Sequence, residues 1–169
     1  MKFKIQTRRT TIRDFKLNDI DTFMEYRNDL KWMRYQGFKG MTRENYEREL
    51  LGNQSLDAGK QYAITDTALG QLIGDVYLKR EQEIYWIGYT VHPRFQQQGF
   101  GKEAVIGVID WVREQGGTCI KAAVLPENTA SIRLLESLNF SYLTEEAGEL
   151  VYVYDLDYED TTQKNARPH

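Results

Sequence analysis

Two glycines spaced by a single residue mark the stretch of this chain best suited to hold an anion. Gly99-Phe100-Gly101 follows Gln96, Gln97 and Gln98 and precedes Lys102 and a run of helical spacing. Lacking a Cβ, Gly99 and Gly101 let the backbone curl, so that successive N–H groups converge. The helix opening there adds unpaired N–H groups and the positive end of its dipole. Together these form a cradle for a pyrophosphate. A glycine-rich turn without a ligand has the same short pattern, and Phe100 suits the core. The run from Gly99 to Ala104 also fits the dinucleotide fingerprint G-x-G-x-x-A, with Glu127 as its ribose contact. That fingerprint follows its strand almost directly, whereas here residues 92–98 intervene, and too little chain remains for the usual six strands.

Other reactive side chains are few. Cys119 is the only cysteine and sits in an apolar run, so it reads as a buried strand residue rather than a catalytic thiol. His92 precedes Pro93 in a turn and His169 ends the chain, so neither reads as a base. The net charge of −3 gives no global basic field for nucleic acid. No apolar run approaches the ~20 residues needed to cross a bilayer, and the N-terminus is not a secretory signal, so the expected compartment is the cytoplasm. With 169 residues, 41% hydrophobic and 28% charged, the chain suits one folded domain. That domain is expected over residues 8–157, followed by a polar tail at 158–169.

The elements that must position the glycine loop follow from periodicity. Strands are predicted at 10–15, 62–65, 72–79, 84–91, 119–125, 141–144 and 149–157. Helices are predicted from Asn18 or Asp19 to about Asp29, from Thr42 to near Gly52, at 102–115 and at 128–138. Ala104, Val105, Val108, Trp111 and Val112 form one apolar stripe on the third helix. Strands mixed with helices in this order predict an α/β or α+β sheet with helices packed on it. Residues 31–41 read as an irregular segment in which Trp32, Tyr35 and Phe38 either wall a pocket or pack under the loop.

Two spaced motifs resemble the GNAT superfamily of N-acyltransferases. Its acyl-CoA motif, Q/R-x-x-G-x-G/A after a strand ending V-x-P, is matched by Val91-His92-Pro93 and Gln96-Gln97-Gln98-Gly99-Phe100-Gly101. Its second signature, N-x-x-S/A followed by a helix and a G-F pair, is matched by Asn128-Thr129-Ala130-Ser131 and later Asn139-Phe140. Asn139 replaces the usual glycine, and both residues tolerate a left-handed backbone. Ile87-Gly88-Tyr89 and the N-x-x-S form are similar to the ribosomal-protein N-acetyltransferase branch.

The resemblance implies a single-domain fold with a central mixed, mostly antiparallel sheet and helices on both faces. The sheet would splay between the fourth and fifth predicted strands, 84–91 and 119–125. It implies acetyl-CoA as acyl donor and a primary amine as acceptor, either a small molecule or a peptide or protein N-terminus. The backbone of Tyr89, Thr90 and Val91 would bond pantetheine, with an N–H near Tyr89 polarising the thioester carbonyl. Backbone N–H groups of Gln97–Lys102 would hold the pyrophosphate, and Asn128 would contact CoA as well as cap its helix. Trp32, Tyr35 and Phe38 would line the acceptor pocket, and Glu145, Glu146 and Glu149 would give it a negative mouth. The Tyr that protonates the thiolate in many relatives is Leu135 here, and a Glu used by some is Ala123. Ser131 is therefore the expected hydrogen-bond donor to the thiolate, with Glu83 or Tyr85 relaying a proton through water. The missing Glu–Tyr pair keeps open a non-catalytic acyl-CoA sensor or interaction module of the same fold. A homodimer is left open.

Overall fold

A computed structural model describes residues 2–157. Among these residues eight strands form one sheet in the order β1-β2-β3-β4-β5-β6-β8-β7. These are β1 (Lys4–Gln6), β2 (Thr10–Arg13), β3 (Lys60–Asp66), β4 (Leu72–Glu81), β5 (Ile84–Val91), β6 (Cys119–Val124), β7 (Ser141–Glu146) and β8 (Glu149–Asp155). The α-helices that join them are α1 (Ile20–Arg27), α2 (Arg43–Leu51), α3 (Phe100–Glu114) and α4 (Thr129–Ser137). Every neighbouring pair of these strands is antiparallel except β5 and β6. The mixed, mostly antiparallel sheet is as expected. The short polar strand β1 precedes the first expected one and shifts the numbering, so the splayed strands are the fifth and sixth. The expected tail at 158–169 lies outside the described residues.

Local chemistry sets the helix ends. Thr42 Oγ1 accepts from Asn45 N at 3.2 Å and caps α2. Asn128 Oδ1 accepts from Ser131 N at 3.3 Å and caps α4. Asn139, just past α4, has φ 70°, the left-handed conformation expected of the residue replacing glycine. Asp19 starts α1 differently from a simple cap. It accepts from Lys16 N at 2.8 Å and pairs with Arg13.

Helices cover both faces of the sheet. On one face α3 buries Ala104, Val105, Val108 and Val112 against Val76, Leu78, Tyr85 and Ile87. Each larger aliphatic side chain buried in this way contributes about 1.5–3 kcal/mol. The turn between β1 and β2 presses close to this helix. A Cβ on Gly107 would meet Thr7 Cγ2 at 2.7 Å, so only glycine allows that approach. On the other face Ile20, Phe23, Tyr26, Tyr46 and Leu50 from α1 and α2 pack with Ala63 and Leu72. Cys119 is only half-buried at the start of β6, and burial raises its thiol pKa.

One ion pair lies inside this second core. Arg27 Nη2 donates to Asp75 Oδ1 at 2.5 Å, and the Tyr26 hydroxyl donates to Asp75 Oδ2 at 2.5 Å. Burial, then the Asp75 charge, raises the Tyr26 pKa well above its usual value, so the phenol stays a donor. Arg27 Nη1 also donates to the carbonyls of Gly37 and Phe38 at 3.2 and 3.3 Å. The pair thus ties α1, β4 and the loop after α1 together. Removing one member leaves a buried uncompensated charge, so Asp75→Ala should cost roughly 3–5 kcal/mol. Denaturant unfolding measures this; a loss below about 1 kcal/mol would mean the pair is not structural.

Candidate functional site

The ladder between β5 and β6 runs from Ile84↔Cys119 to Ile87↔Ala122 and stops there. From Gly88 to Val91 the register of β5 continues on the β4 side alone, among the described residues. Backbone alternation puts the N–H and C=O of Tyr89 and Val91 on the open edge and those of Thr90 toward β4. His92 N donating to Ile73 O fits the same alternation. Of the three expected backbone contacts, Tyr89 and Val91 therefore face the gap. Thr90 offers its side chain instead, its Oγ1 accepting from Arg27 Nη2 at 3.3 Å and donating to Gln36 Oε1.

The open carbonyls are capped by side chains from the loop after α1. Trp32 Nε1 donates to Val91 O at 3.1 Å, and Gln36 Nε2 donates to Tyr89 O at 3.1 Å. Gln36 was not legible in the sequence, since nothing local distinguishes it from a surface glutamine. The glycine loop closes the same end of the gap. Gln97 (φ 57°) and Gly99 (φ 81°) both take left-handed backbone angles, the geometry that turns N–H groups into an anion nest. The first intrahelical bond of α3 is Glu103 N to Gly99 O, so the N–H groups of Phe100, Gly101 and Lys102 precede it.

Arg9, which the sequence reading missed, braces this loop. Its guanidinium lies 4.1 Å over the Phe100 ring and donates to Gln98 O at 3.1 Å and Glu103 Oε1 at 2.8 Å. Burial opposes ionisation of Glu103, but hydrogen bonds from Thr7 and Arg9 outweigh it and lower its pKa. Phe100 is half-buried, partly against the core and partly on the cavity wall.

Two cavities open along the gap. The larger, about 490 Å³, is walled by Gln96, Gln97, Gly99, Phe100, Gly101 and Lys102 at one end and by Trp32, Tyr89, Thr90 and Val91 along its side. The smaller, about 190 Å³, is walled by Gly88, Ala123, Leu135 and Glu149 among others. Tyr35, Gln36, Tyr89, Asn128 and Ser131 belong to both walls. The Tyr89 and Ser131 hydroxyl oxygens are 2.8 Å apart there. Burial pushes the Tyr89 pKa up to about 12, with the Ser131 contact opposing it. Leu135 and Ala123, where relatives carry Tyr and Glu, both face the smaller cavity. Those two positions supply no acid or base, and the ionisable side chains on this wall are instead Tyr35, Tyr89 and Glu149.

Four expected site residues fall elsewhere. Tyr85 lies at the paired end of β5, 2% exposed, its ring 5.8 Å from that of Trp111. Glu83 is exposed in the turn before β5. Neither lines either cavity, so a relay through them does not follow: they sit at, or just before, the end of β5 that pairs with β6, away from the parting. Phe38 packs on Phe23 and Tyr46, with ring centroids 6.0 and 5.4 Å away, and serves the core rather than a pocket. Gln98 lies outside the cavity wall and holds Arg94 O through its amide. His92 is buried, with Nδ1 accepting from Arg94 N and Nε2 3.1 Å from Glu25.

The sheet is thus parted beside a glycine loop, with a second cavity at the parting. Residues 9–141 match the family described as the Acetyltransferase (GNAT) domain, and the chain belongs to that family. It is 29% identical over 144 residues to the uncharacterized N-acetyltransferase p20 of Bacillus licheniformis, covering 80% of this chain and 81% of that one. The fold is shared with a GNAT-family acetyltransferase from Bacillus anthracis, at TM-score 0.75, 21% identity, and 90% and 98% of the two chains. It is also shared with RimL, the ribosomal L7/L12 alpha-N-protein acetyltransferase, solved in complex with coenzyme A. That match has TM-score 0.78 and 15% identity and covers 92% and 99% of the chains. No helix among the described residues is long and apolar enough to cross a membrane.

The nest has a direct test. A Cβ on Gly101 would sit 3.3 Å from Val91 Cγ2 and 3.6 Å from Leu134 Cδ1, so a small side chain fits with slight adjustment. Gly101→Asp should therefore fold yet repel a pyrophosphate, weakening acetyl-CoA binding about tenfold or more, ~1.4 kcal/mol. Calorimetry on the folded variant checks this; wild-type affinity would remove the loop from the binding site.

Proposed function

We propose that this enzyme transfers the acetyl group of acetyl-CoA to a primary amine by direct attack in a ternary complex. The observation that carries this reading is the shared wall: the cavity beginning at the anion nest and the smaller cavity meet at Tyr89, Asn128 and Ser131. A donor with its pyrophosphate at Gln97–Lys102 and its pantetheine along the Tyr89 and Val91 edge would bring its thioester to that wall. An amine in the smaller cavity would approach from the other side. Catalysis then rests on positioning and on hydrogen bonds to developing charge. The N–H of Tyr89 would polarise the thioester carbonyl, and Ser131 would donate a hydrogen bond to the departing thiolate.

The acceptor is read as a cationic amine or peptide N-terminus. Glu149 walls the smaller cavity, and Glu145 and Glu146 are exposed on the same hairpin. A negative mouth concentrates a cation at low ionic strength. Tyr35, on both walls, is the loop residue that would shape acceptor choice, whereas Trp32, also expected there, lines the larger cavity alone and caps Val91 O.

A second reading, an acyl-CoA-binding module without turnover, has support from Leu135 and Ala123 lining the smaller cavity. Thiol release from acetyl-CoA separates the two. The assay would use a panel of polyamines, aminoglycosides, amino acids and peptides with free N-termini. Catalysed release with at least one amine is expected; acetyl-CoA binding with no release from any would favour the module. Ser131→Ala should lower kcat about 10²-fold at saturating substrates when chemistry limits the rate. An unchanged kcat would leave Ser131 a packing residue.

A further inference from the structure

Tyr89 ends a row. Tyr85, Ile87 and Tyr89 point to one face of β5 by strand alternation. The first two are sunk in the core at 2% and 5% exposure, while Tyr89 reaches the wall between the two cavities. Its phenol oxygen lies 2.8 Å from Ser131 Oγ and 3.4 Å from Ser131 O. Both partners are held from behind. Gln36 fixes the Tyr89 carbonyl, and Asn128 fixes the Ser131 N–H at the first turn of α4.

A serine hydroxyl rotates freely unless a neighbour fills one of its acceptor positions. Of the two groups the phenol is the stronger acid and hence the better donor. The phenol has one proton: Ser131 O, at 3.4 Å, is the more distant and weaker acceptor, and Ser131 Oγ, at 2.8 Å, is the nearer one. With that proton given to Oγ, the serine proton turns away from Tyr89, toward the cavities that both residues line. We infer that Tyr89 is a positioning residue that donates to Ser131 and aims the serine hydroxyl at the leaving sulfur. The inference rests on the acetyl-transfer reading and names what completes its leaving-group side where Leu135 replaces tyrosine.

The step balances without an added reagent. A cationic acceptor first gives one proton to solvent; the lone pair of the neutral amine then forms the C–N bond, and the C–S bond breaks with its electron pair going to sulfur. The nitrogen then loses one more proton to solvent, and the thiolate gains one from solvent. Ser131 and Tyr89 end as they began. As charge grows on sulfur, electron density shifts toward Ser131 Oγ, and the phenol donation offsets it, so the two bonds strengthen one another. Burial raises the Tyr89 pKa, so the phenol keeps its proton across the neutral range and has one to donate.

A double-mutant cycle tests this, using acetyl-CoA and the panel amine that gives the fastest wild-type thiol release. Single-turnover rates are measured for wild type, Tyr89→Phe, Ser131→Ala and the double variant, with acetyl-CoA affinity by calorimetry and thermal midpoints alongside. Tyr89→Phe is expected to slow the chemical step about tenfold, with acetyl-CoA affinity kept within about twofold. In the Ser131→Ala background the same change should have no further effect, because the group it positions is gone. A wild-type rate in Tyr89→Phe would overturn the proposal, as would an equal loss with and without Ser131. A loss of folding or of acetyl-CoA binding would assign the phenol to structure and overturn it too. Each of these outcomes leaves acetyl transfer by the wild type standing, whereas a wild type inactive on the whole panel overturns both readings.

Discussion

A β-strand that loses its neighbour must still satisfy its backbone. Beyond Ile87 the β5 edge faces no β6 partner, and that constraint organises the surrounding structure. Two of the exposed carbonyls, Tyr89 O and Val91 O, are capped by Gln36 and Trp32. Those caps come from an irregular loop with little regular structure of its own. The loop is held by Arg27, which donates to the Gly37 and Phe38 carbonyls. Arg27 in turn is held by Asp75, buried in the neighbouring strand. The gap at the sheet centre and the ion pair beneath it therefore form one construction. A charged pair is an expensive way to fill a core, but here it grips backbone carbonyls that an apolar side chain could not bind.

The same parting divides labour between the two faces of β5. Thr90 points toward α1, accepts directly from Arg27 and donates to Gln36. Tyr89 points toward α4 and meets Ser131. One strand thus carries a structural hydroxyl on one face and a hydroxyl at the cavity junction on the other. The glycine loop sits at the end of the same strand, reached through the short turn at Pro93, so loop and junction are fixed by one element. Sites carried on strands and helices hold geometry better than sites on loops.

What the sequence disclosed was local. The glycine loop, the caps Thr42 and Asn128, the left-handed Asn139 and the stripe of α3 depend on residues within a turn or two, and each was legible. What it hid was contact across the fold. Tyr89 and Ser131 are 42 residues apart, Arg27 and Asp75 48, and Gln36 and the Tyr89 carbonyl 53. Family resemblance supplied the splay and the expectation for Ser131, but not the partner. The errors follow the same line. Glu83 and Tyr85 belong to the turn before β5 and to its paired end, and nothing in the local sequence says which end of that strand opens. Phe38 was one of three aromatics in a glycine-containing loop, and composition does not say which of them turns inward. The strand at Lys4–Gln6 is too short and polar to declare itself by alternation.

If the parted edge is where acetyl-CoA lies, its bound pantetheine must take up the strand's outward N–H groups. Amide hydrogen exchange at Tyr89 and Val91, followed with and without saturating acetyl-CoA, reads those groups one by one. Exchange that slows at these two amides and at Phe100–Lys102, with Gly88 and Thr90 little changed, is the expected result. Binding of acetyl-CoA that leaves Tyr89 and Val91 exchanging as in the free protein would contradict it.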